Sequence, residues 1–304
     1  MNGDPRRPLG RVLTAVVTPF SGEGELDLEG LQRLVTHLVD EGGNDGVVVN
    51  GTTGEAPTTS DAEKDAVVRA VVEAVGDRAT VVAGAGTNDT RHSVEQARAA
   101  EKAGADGLLV LSPYYSLPPQ EGIARHVTAV ADATGLPVIL YDIPRRTGVP
   151  FAVETLLRLA EHPRVVAVKD AKGDLAASSE VMARTDLAYY SGDDMMNLPL
   201  AAVGGVGAVS VVGHLAGTRI RAMLDAHEGG DPARATELHR GLLPLCTGLF
   251  RTQGVILTKA ALGMLGLPGG PVRSPLVDAT DEQRAVLRRD LAAGGVALGA
   301  GAAA

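Results

Sequence analysis

The chain has 304 residues and a formal net charge of −9, with scattered charges and no basic stripe of the kind that binds phosphate backbones, which argues against a nucleic-acid partner. No uninterrupted apolar stretch approaches the roughly 18–20 residues of a membrane span, so the sequence predicts no membrane segment. Cys246 is the only cysteine, so no intrachain disulfide can form, and we expect a cytoplasmic protein.

The chain begins with the segment Met1–Leu9, which lacks the apolar core of a secretory signal and predicts a short disordered lead. Beyond it, apolar runs of strand length alternate with amphipathic stretches of helix length. The predicted strands are 11–18, 45–50, 79–85, 107–112, 137–143, 164–170, 187–191 and 207–212. The predicted helices are 26–41, 60–75, 90–103, 119–134, 152–161, 175–185, 195–203 and 215–228. Eight such repeats predict an α/β fold in which a parallel sheet closes into a (β/α)8 TIM barrel.

An open, doubly wound sheet is the alternative fold. It would normally use fewer strands and carry a glycine-rich phosphate-binding turn after the first one. Here the first strand leads into Thr18–Gly22, which contains no such turn.

Helical patterns continue after the eighth repeat. They cover 231–247, 250–265 and 280–294, with a Gly/Pro-rich break at 266–275. We therefore divide the chain into a barrel with its lead (1–230) and a region of C-terminal helices (231–304). The low-complexity tail, 294–304, is predicted to be frayed or disordered.

Lys169 lies near the end of the apolar run 164–170, which is bounded by Pro163 and Gly173 and is typical of a fully buried strand. Removing an ammonium group from water is costly, and the usual relief is a lowered pKa. A lysine with a lowered pKa is neutral often enough to attack a carbonyl and form a Schiff base. The alternative is that the strand ends one residue earlier and that Lys169 is solvated or paired with Asp170.

The chemistry of a TIM barrel sits at the carboxyl ends of its strands, and here polar or small residues gather at those positions. They occupy the segments 50–55, 84–88, 112–115, 141–148 and 191–194 and the region near Ser210. Gly51–Gly54 offers hydroxyls and N–H groups for a carboxylate or phosphate; the alternative is an ordinary turn with a helix cap. Tyr114, Tyr115 and Tyr141 offer phenols that can relay protons, or that simply pack at the rim.

Asp193 and Asp194 raise the question of a divalent metal. No histidine stands at ligand spacing from another His, Asp or Glu on a predicted strand end, and His214 alone is a weak signal. We therefore interpret these two carboxylates as helix caps before the stretch 195–203.

Five segments occur in the order and at the spacing of one protein family. They are Gly51–Glu55, Pro113–Tyr115, Tyr141–Gly148, Val168–Gly173 and Ser191–Asp194. Through them the chain, from residue 10 to 290, resembles the dihydrodipicolinate synthase / N-acetylneuraminate lyase family of pyruvate-dependent class I aldolases. Within the family it is most similar to the actinobacterial synthases.

The resemblance implies that Lys169 forms the Schiff base with pyruvate and that Tyr141, Thr52 and Tyr115 relay protons. No metal or organic cofactor is implied. In family members the tyrosine at the position of Tyr115 reaches into the site of a neighbouring subunit. The resemblance therefore also implies a homo-oligomer, a tetramer built as a dimer of dimers.

The resemblance implies substrate-binding residues as well. The backbone amides of Thr52 and Thr53 would hold the pyruvate carboxylate, and Arg146 would bind the carboxylate of the second substrate, aspartate semialdehyde. The backbones of Gly192 and Val209 would line the pocket. The implied reaction yields 4-hydroxy-tetrahydrodipicolinate, in lysine and diaminopimelate biosynthesis.

Two departures concern the second substrate. Asp142 and Arg145 replace the asparagine and the small residue that many synthases carry beside Arg146, and such charges can reorient the guanidinium. A lyase or dehydratase for sugar acids is therefore an alternative function. A catalytically silent, metabolite-binding barrel is a second one.

Further departures concern feedback inhibition by lysine. Asn88 and Tyr114 match the lysine-binding site of sensitive synthases. Four positions do not match the serine, two histidines and glutamate found there, namely Ala56, Asp61, Lys64 and His92. Since the inhibitor's amino group would lose its carboxylate partner and meet Lys64, we expect weak or no inhibition by lysine.

Overall fold

Eight short parallel strands form a closed barrel in the computed structural model, which describes residues 6–298. The strands are β1 (Val12–Ala15), β2 (Gly46–Val49), β3 (Thr80–Gly84), β4 (Gly107–Leu111), β5 (Val138–Asp142), β6 (Val165–Asp170), β7 (Ala188–Ser191) and β8 (Gly207–Ser210). Each strand pairs with the next one in the chain, and β8 pairs with β1 to close the ring. The predicted TIM barrel is confirmed, and the alternative of an open sheet is wrong.

Helices cover the outside of the barrel and continue beyond it. They are α1 (Leu28–Asp40), α2 (Asp61–Val75), α3 (Thr90–Ala103), α4 (Gln120–Asp132), α5 (Pro144–Thr147), α6 (Val153–Ala160), α7 (Leu175–Arg184), α8 (Asn197–Ala202), α9 (Gly213–Glu228), α10 (Pro232–Leu249), α11 (Gly254–Met264) and α12 (Asp281–Ala293). Polar residues cap the amino ends of several helices. At the start of α2, the Ser60 hydroxyl accepts the Glu63 N–H, and the Glu63 carboxylate accepts the Ser60 N–H. The single-turn helix α5 was not predicted, because one turn leaves no periodicity in the sequence.

Two apolar layers hold the fold together. One lies between the strands and the surrounding helices, and the other fills the barrel interior with side chains such as Leu13, Val82, Ile139 and Val209. Side chains alternate between the two layers along each strand, with a period of two residues. Lys169 follows the inward-facing Ala167 by two positions, so its side chain points into the barrel at the carboxyl end of β6.

The pairing of β5 with β6 contains an irregularity that matters for the site. Val138 pairs with Val165, but the next residue, Ile139, pairs with Ala167, so Val166 is left over as a bulge. Beyond the bulge the register continues until Tyr141 lies directly opposite Lys169.

The C-terminal helices pack beside the barrel. Helix α10 packs against α9 and α12, and the apolar side chains of Leu245, Leu249, Leu287 and Leu291 are buried there. Among the helices that the structure describes, none has the length and apolarity to cross a bilayer.

The predicted lead and tail lie partly outside the described residues. Positions 1–5 and 299–304 are not described. Within the rest of the lead, Leu9 is buried and the Arg7 guanidinium donates two hydrogen bonds, of 2.7 and 2.6 Å, to the Glu228 carboxylate. The lead therefore joins the fold by residue 7.

Candidate active site

A cavity of about 420 Å³ opens at the carboxyl ends of the strands, where the sequence predicted the chemistry. Thr52, Leu109, Tyr141 and Arg146 are among its lining residues. Hydroxyl, phenol and guanidinium groups therefore surround a partly apolar space.

Lys169 lies within β6, which continues to Asp170, and only 5% of the residue is exposed. The alternative of a solvated lysine is therefore wrong. Pairing with Asp170 is also wrong, because that carboxylate accepts the N–H groups of Lys172 and Gly173 instead. Burial lowers the pKa of Lys169 to about 8; the charge of Asp194 opposes this shift.

Tyr141 is the closest ring to the amine. The Nζ atom of Lys169 lies 4.1 Å from the centroid of the Tyr141 ring. Burial raises the pKa of Tyr141 to about 12, opposed by the charge of Arg146 and by a hydrogen bond with the side chain of Thr52. The phenol is therefore a proton-carrying group at neutral pH, with the Thr52 hydroxyl as its partner.

The turn Gly51–Glu55 carries two of the predicted site residues. The Glu55 N–H donates to the Thr52 carbonyl at 3.2 Å, which closes the turn. Within residues 6–298, the backbone N–H groups of Thr52 and Thr53 form no hydrogen bond to the protein. Two adjacent unpaired N–H groups form a site that suits a carboxylate.

Gly192 and Val209 lie where small or apolar groups are required. A Cβ atom on Gly192 would come 2.9 Å from Cγ and 3.0 Å from Cε of Lys169, so the absence of a side chain leaves room for the lysine. The Gly192 N–H donates to the Asp170 carbonyl at 2.7 Å. Val209 is buried in the inner apolar layer.

Arg146 stands exposed at the cavity, and the two unusual charges beside it face elsewhere. Asp142 points out of the barrel, where it is buried and pairs with Lys172 at 3.4 Å. Burial raises the pKa of Asp142 to about 6, opposed by the Lys172 charge. Arg145 is largely exposed and lies 3.9 Å from Asp193. Neither residue therefore pairs with Arg146.

Tyr115 does not join the other predicted residues within its own chain. The residue is 90% exposed, and its backbone has a φ of +69°, a region that non-glycine residues rarely adopt. Its ring therefore projects from the surface, away from the packed interior.

Asp194 has a larger role than the predicted helix cap. Asp193 caps the following turn by accepting the Met195 N–H at 3.1 Å. Asp194 is buried and instead accepts the N–H groups of Val211 and Val212 at 3.0 and 2.9 Å, so it joins the loops after β7 and β8. Within the described residues, no three His, Cys, Asp or Glu side chains are grouped so that they could hold a metal ion.

In the part of the cavity between α2 and α3, the lining side chains form hydrogen bonds with the protein itself. Asp61 accepts hydrogen bonds at 3.0 Å from His92 and at 3.1 Å from Gln96. The Lys64 ammonium donates to the Thr59 carbonyl. Asn88 and Tyr114 line the same cavity.

Sequence reasoning missed one further pair. Glu55 and Lys259 form an ion pair of 2.6 Å, and both side chains are almost fully buried. The available signal was a lysine in the apolar helical run Val255–Leu262, the same pattern that identified Lys169 in a strand.

Comparison with known proteins decides the family. The family model described as the dihydrodipicolinate synthetase family matches residues 8–294. The chain belongs to this family. It is 65% identical, over 97% of its length and 98% of the relative, to 4-hydroxy-tetrahydrodipicolinate synthase 2 of Streptomyces coelicolor. It is 66% identical to 4-hydroxy-tetrahydrodipicolinate synthase of Acidothermus cellulolyticus, over 95% of this chain and 93% of the relative.

A solved structure supports the same assignment. The crystal structure of the family enzyme from Cyanidioschyzon merolae, determined with lysine bound, matches with a TM-score of 0.93 and 41% identity. The match covers 95% of this chain and 99% of that one. The resemblance stated from sequence motifs is therefore confirmed at the level of family and fold.

Proposed function

We propose that this protein catalyses the condensation of pyruvate with aspartate 4-semialdehyde through a Schiff base, forming 4-hydroxy-tetrahydrodipicolinate in lysine and diaminopimelate biosynthesis. The observation that carries the proposal is the buried amine of Lys169, which lies 4.1 Å from the centroid of the Tyr141 ring on the paired strand. Relatives that are 65% and 66% identical bear the name of this activity.

The chemistry begins at Lys169. Its neutral amine adds to the keto carbon of pyruvate, and loss of water leaves an iminium ion. The iminium withdraws electrons, so a methyl proton leaves and an enamine forms. The enamine carbon then bonds to the aldehyde carbon of the second substrate. The amine of that substrate finally displaces Lys169, which closes the ring and frees the enzyme.

Proton transfer falls to the phenol next to the amine. Tyr141 keeps its proton at neutral pH because its pKa is about 12, so it can donate one and take one back through Thr52. Tyr115 of a neighbouring subunit would connect this relay to solvent. Its 90% exposure in the single chain supports a homo-oligomer with shared sites, a dimer of dimers.

Two groups would hold the substrate carboxylates. The unpaired N–H groups of Thr52 and Thr53 suit the pyruvate carboxylate, and the Arg146 guanidinium suits that of aspartate semialdehyde. Gly192 and Val209 would line the pocket. No organic cofactor or metal enters these steps, and the proposed setting is the cytoplasm.

Trapping with borohydride tests the proposal. Incubation with pyruvate and borohydride should add the reduced pyruvate unit to the protein, as measured by intact mass. Lys169→Ala should abolish the adduct, whereas Lys64→Ala, which removes a lysine that lines the cavity, should retain it. Absence of an adduct on the wild-type protein would contradict the proposal and favour a silent barrel.

An aldehyde panel then tests the second substrate. Aspartate semialdehyde should be turned over much faster than the aldehydes produced by sugar-acid lyases. Because Asp142 and Arg145 do not pair with Arg146, the guanidinium is available for a carboxylate. Preference for a sugar aldehyde would instead identify a lyase of the same family.

A further inference from the structure

A lysine and a glutamate pair inside the protein between the active-site turn and a C-terminal helix. Lys259 lies in α11 among buried apolar residues, and its side chain is 2% exposed. Its ammonium lies 2.6 Å from the carboxylate of Glu55, whose side chain is 1% exposed. A charge buried this deeply is tolerated only when a partner and hydrogen bonds compensate it.

Both groups have further partners. The other carboxylate oxygen of Glu55 accepts a hydrogen bond from the backbone N–H of Arg273 at 2.9 Å. The Lys259 ammonium donates to the Pro271 carbonyl at 2.7 Å and lies 4.3 Å from the centroid of the Phe20 ring. Lys259 and Arg273, which both lie in the C-terminal region, therefore each contact one carboxylate oxygen of Glu55.

The backbone of Glu55 needs such support. Its φ of +56° and ψ of +37° lie in the left-handed region, where a side chain is strained unless its surroundings hold it. Its N–H closes the turn on the Thr52 carbonyl at 3.2 Å. The Thr52 carbonyl and the Thr53 N–H belong to one planar peptide unit, so Glu55 helps to orient that N–H group.

We propose that Glu55 and Lys259 are positioning residues, through which helix α11 holds the Thr52–Thr53 turn in the geometry that binds the pyruvate carboxylate. The proposal rests on the proposed function for its kinetic consequence, although the hold on the turn is a property of the structure alone. It also gives the C-terminal helices a role at the site, which they reach from outside the barrel.

The test removes both charges together. In the double variant Glu55→Gln/Lys259→Met no buried charge is left without a partner, so the variant should fold. Glu55→Gln alone is the second variant: it changes one heavy atom, and the Lys259 ammonium, which loses its carboxylate partner, still donates to the Pro271 carbonyl. The control is Arg251→Met/Asp290→Asn, which removes a more exposed 2.6 Å ion pair between the α10–α11 connection and α12.

Two measurements separate positioning from general stability. We expect the KM for pyruvate to rise about tenfold in the double variant while the KM for aspartate semialdehyde changes less than about twofold, since only the pyruvate carboxylate binds to the N–H groups of the turn. Hydrogen–deuterium exchange of the hydrogen-bonded amides of Glu55 and Ala56 should accelerate, while amides in β1 stay protected. The control variant should change neither quantity.

Failure of this inference and failure of the proposed function would give different results. Unchanged exchange of the Glu55 and Ala56 amides in both Glu55 variants would overturn this inference, whatever the activity of the wild-type protein. A parallel rise in both KM values, matched by the control, would also overturn it, because it would indicate a merely structural pair. A wild-type protein that forms no pyruvate adduct would overturn only the proposed function.

Discussion

Tyr141 and Lys169 are directly paired residues of adjacent strands, and the amine lies 4.1 Å from the ring centroid. The pairing depends on the bulge at Val166, because without the extra residue Tyr141 would lie opposite Val168. Bulges often redirect side chains next to active sites. The proposed nucleophile and the proposed proton carrier therefore face each other because of one inserted residue in β6.

The rate of Schiff-base formation should depend on pH through Lys169. Burial lowers the pKa of this amine to about 8, so the reactive neutral form is lost as the pH falls below that value. With subsaturating pyruvate, the initial rate should rise about tenfold per pH unit below 8 and level off above it. Samples quenched into borohydride at one fixed pH and measured by mass would show this. A rate that keeps rising to about pH 10, the usual range of lysine, would contradict it.

Gly192→Ala should slow catalysis without unfolding the protein. The new Cβ would lie 2.9 Å from Cγ of Lys169, so the lysine must move away from Tyr141. A displacement of about 1 Å at a reacting group can cost about 10²-fold, and we expect a loss of that order in kcat. Gly22→Ala is the control, because a Cβ there meets nothing within 4 Å. Equal activity of the two variants would count against the assigned geometry.

Tyr141→Phe should reduce kcat by about 10²-fold or more, because the proton carrier is removed while the ring remains. Adduct formation with pyruvate should still be detectable by mass. Tyr190→Phe is the same change on β7, two strands away, where the phenol donates to the Gly10 carbonyl at 2.9 Å. It should cost about 1 kcal/mol of stability, measured by denaturant unfolding, with normal turnover. Similar kcat losses in both variants would argue against a relay through Tyr141.

Arg146→Ala should raise the KM for aspartate semialdehyde roughly 10- to 100-fold, because a charge-assisted hydrogen-bond partner of the carboxylate is lost. The KM for pyruvate should stay nearly constant. Arg145→Ala, which removes a 76% exposed side chain, should change both values little. Steady-state kinetics with each substrate varied in turn would decide, and a larger effect from Arg145→Ala would refute the assignment.

Lysine should inhibit this protein weakly or not at all. Asp61 is engaged by His92 and Gln96, and the ammonium of Lys64 would repel the inhibitor's amino group. A steady-state titration with lysine at saturating substrates should therefore leave the rate nearly unchanged. Strong inhibition at sub-millimolar lysine would show that these replacements do not disable the site.

The barrel was predictable because its signal is local. Alternating apolar runs and amphipathic stretches specify strand and helix through neighbouring residues, and helix caps such as Ser60 lie within the same few positions. The apolar run around Lys169 predicted a buried lysine in the same way but left a solvated lysine at the strand end open, and the 5% exposure in the structure decided for burial. The family motifs also placed Thr52, Tyr141, Arg146 and Lys169 as site residues, whose roles the experiments above test.

The sequence by itself therefore determined the repeat pattern, and it predicted the closed sheet and the buried amine that the structure confirms. Only the tertiary structure decided that the Val166 bulge brings Tyr141 opposite Lys169, that Asp142 faces Lys172, and that Glu55 meets Lys259. The physical reason is distance along the chain: strand register and buried ion pairs join residues from separate elements, and their geometry exists only after those elements have packed.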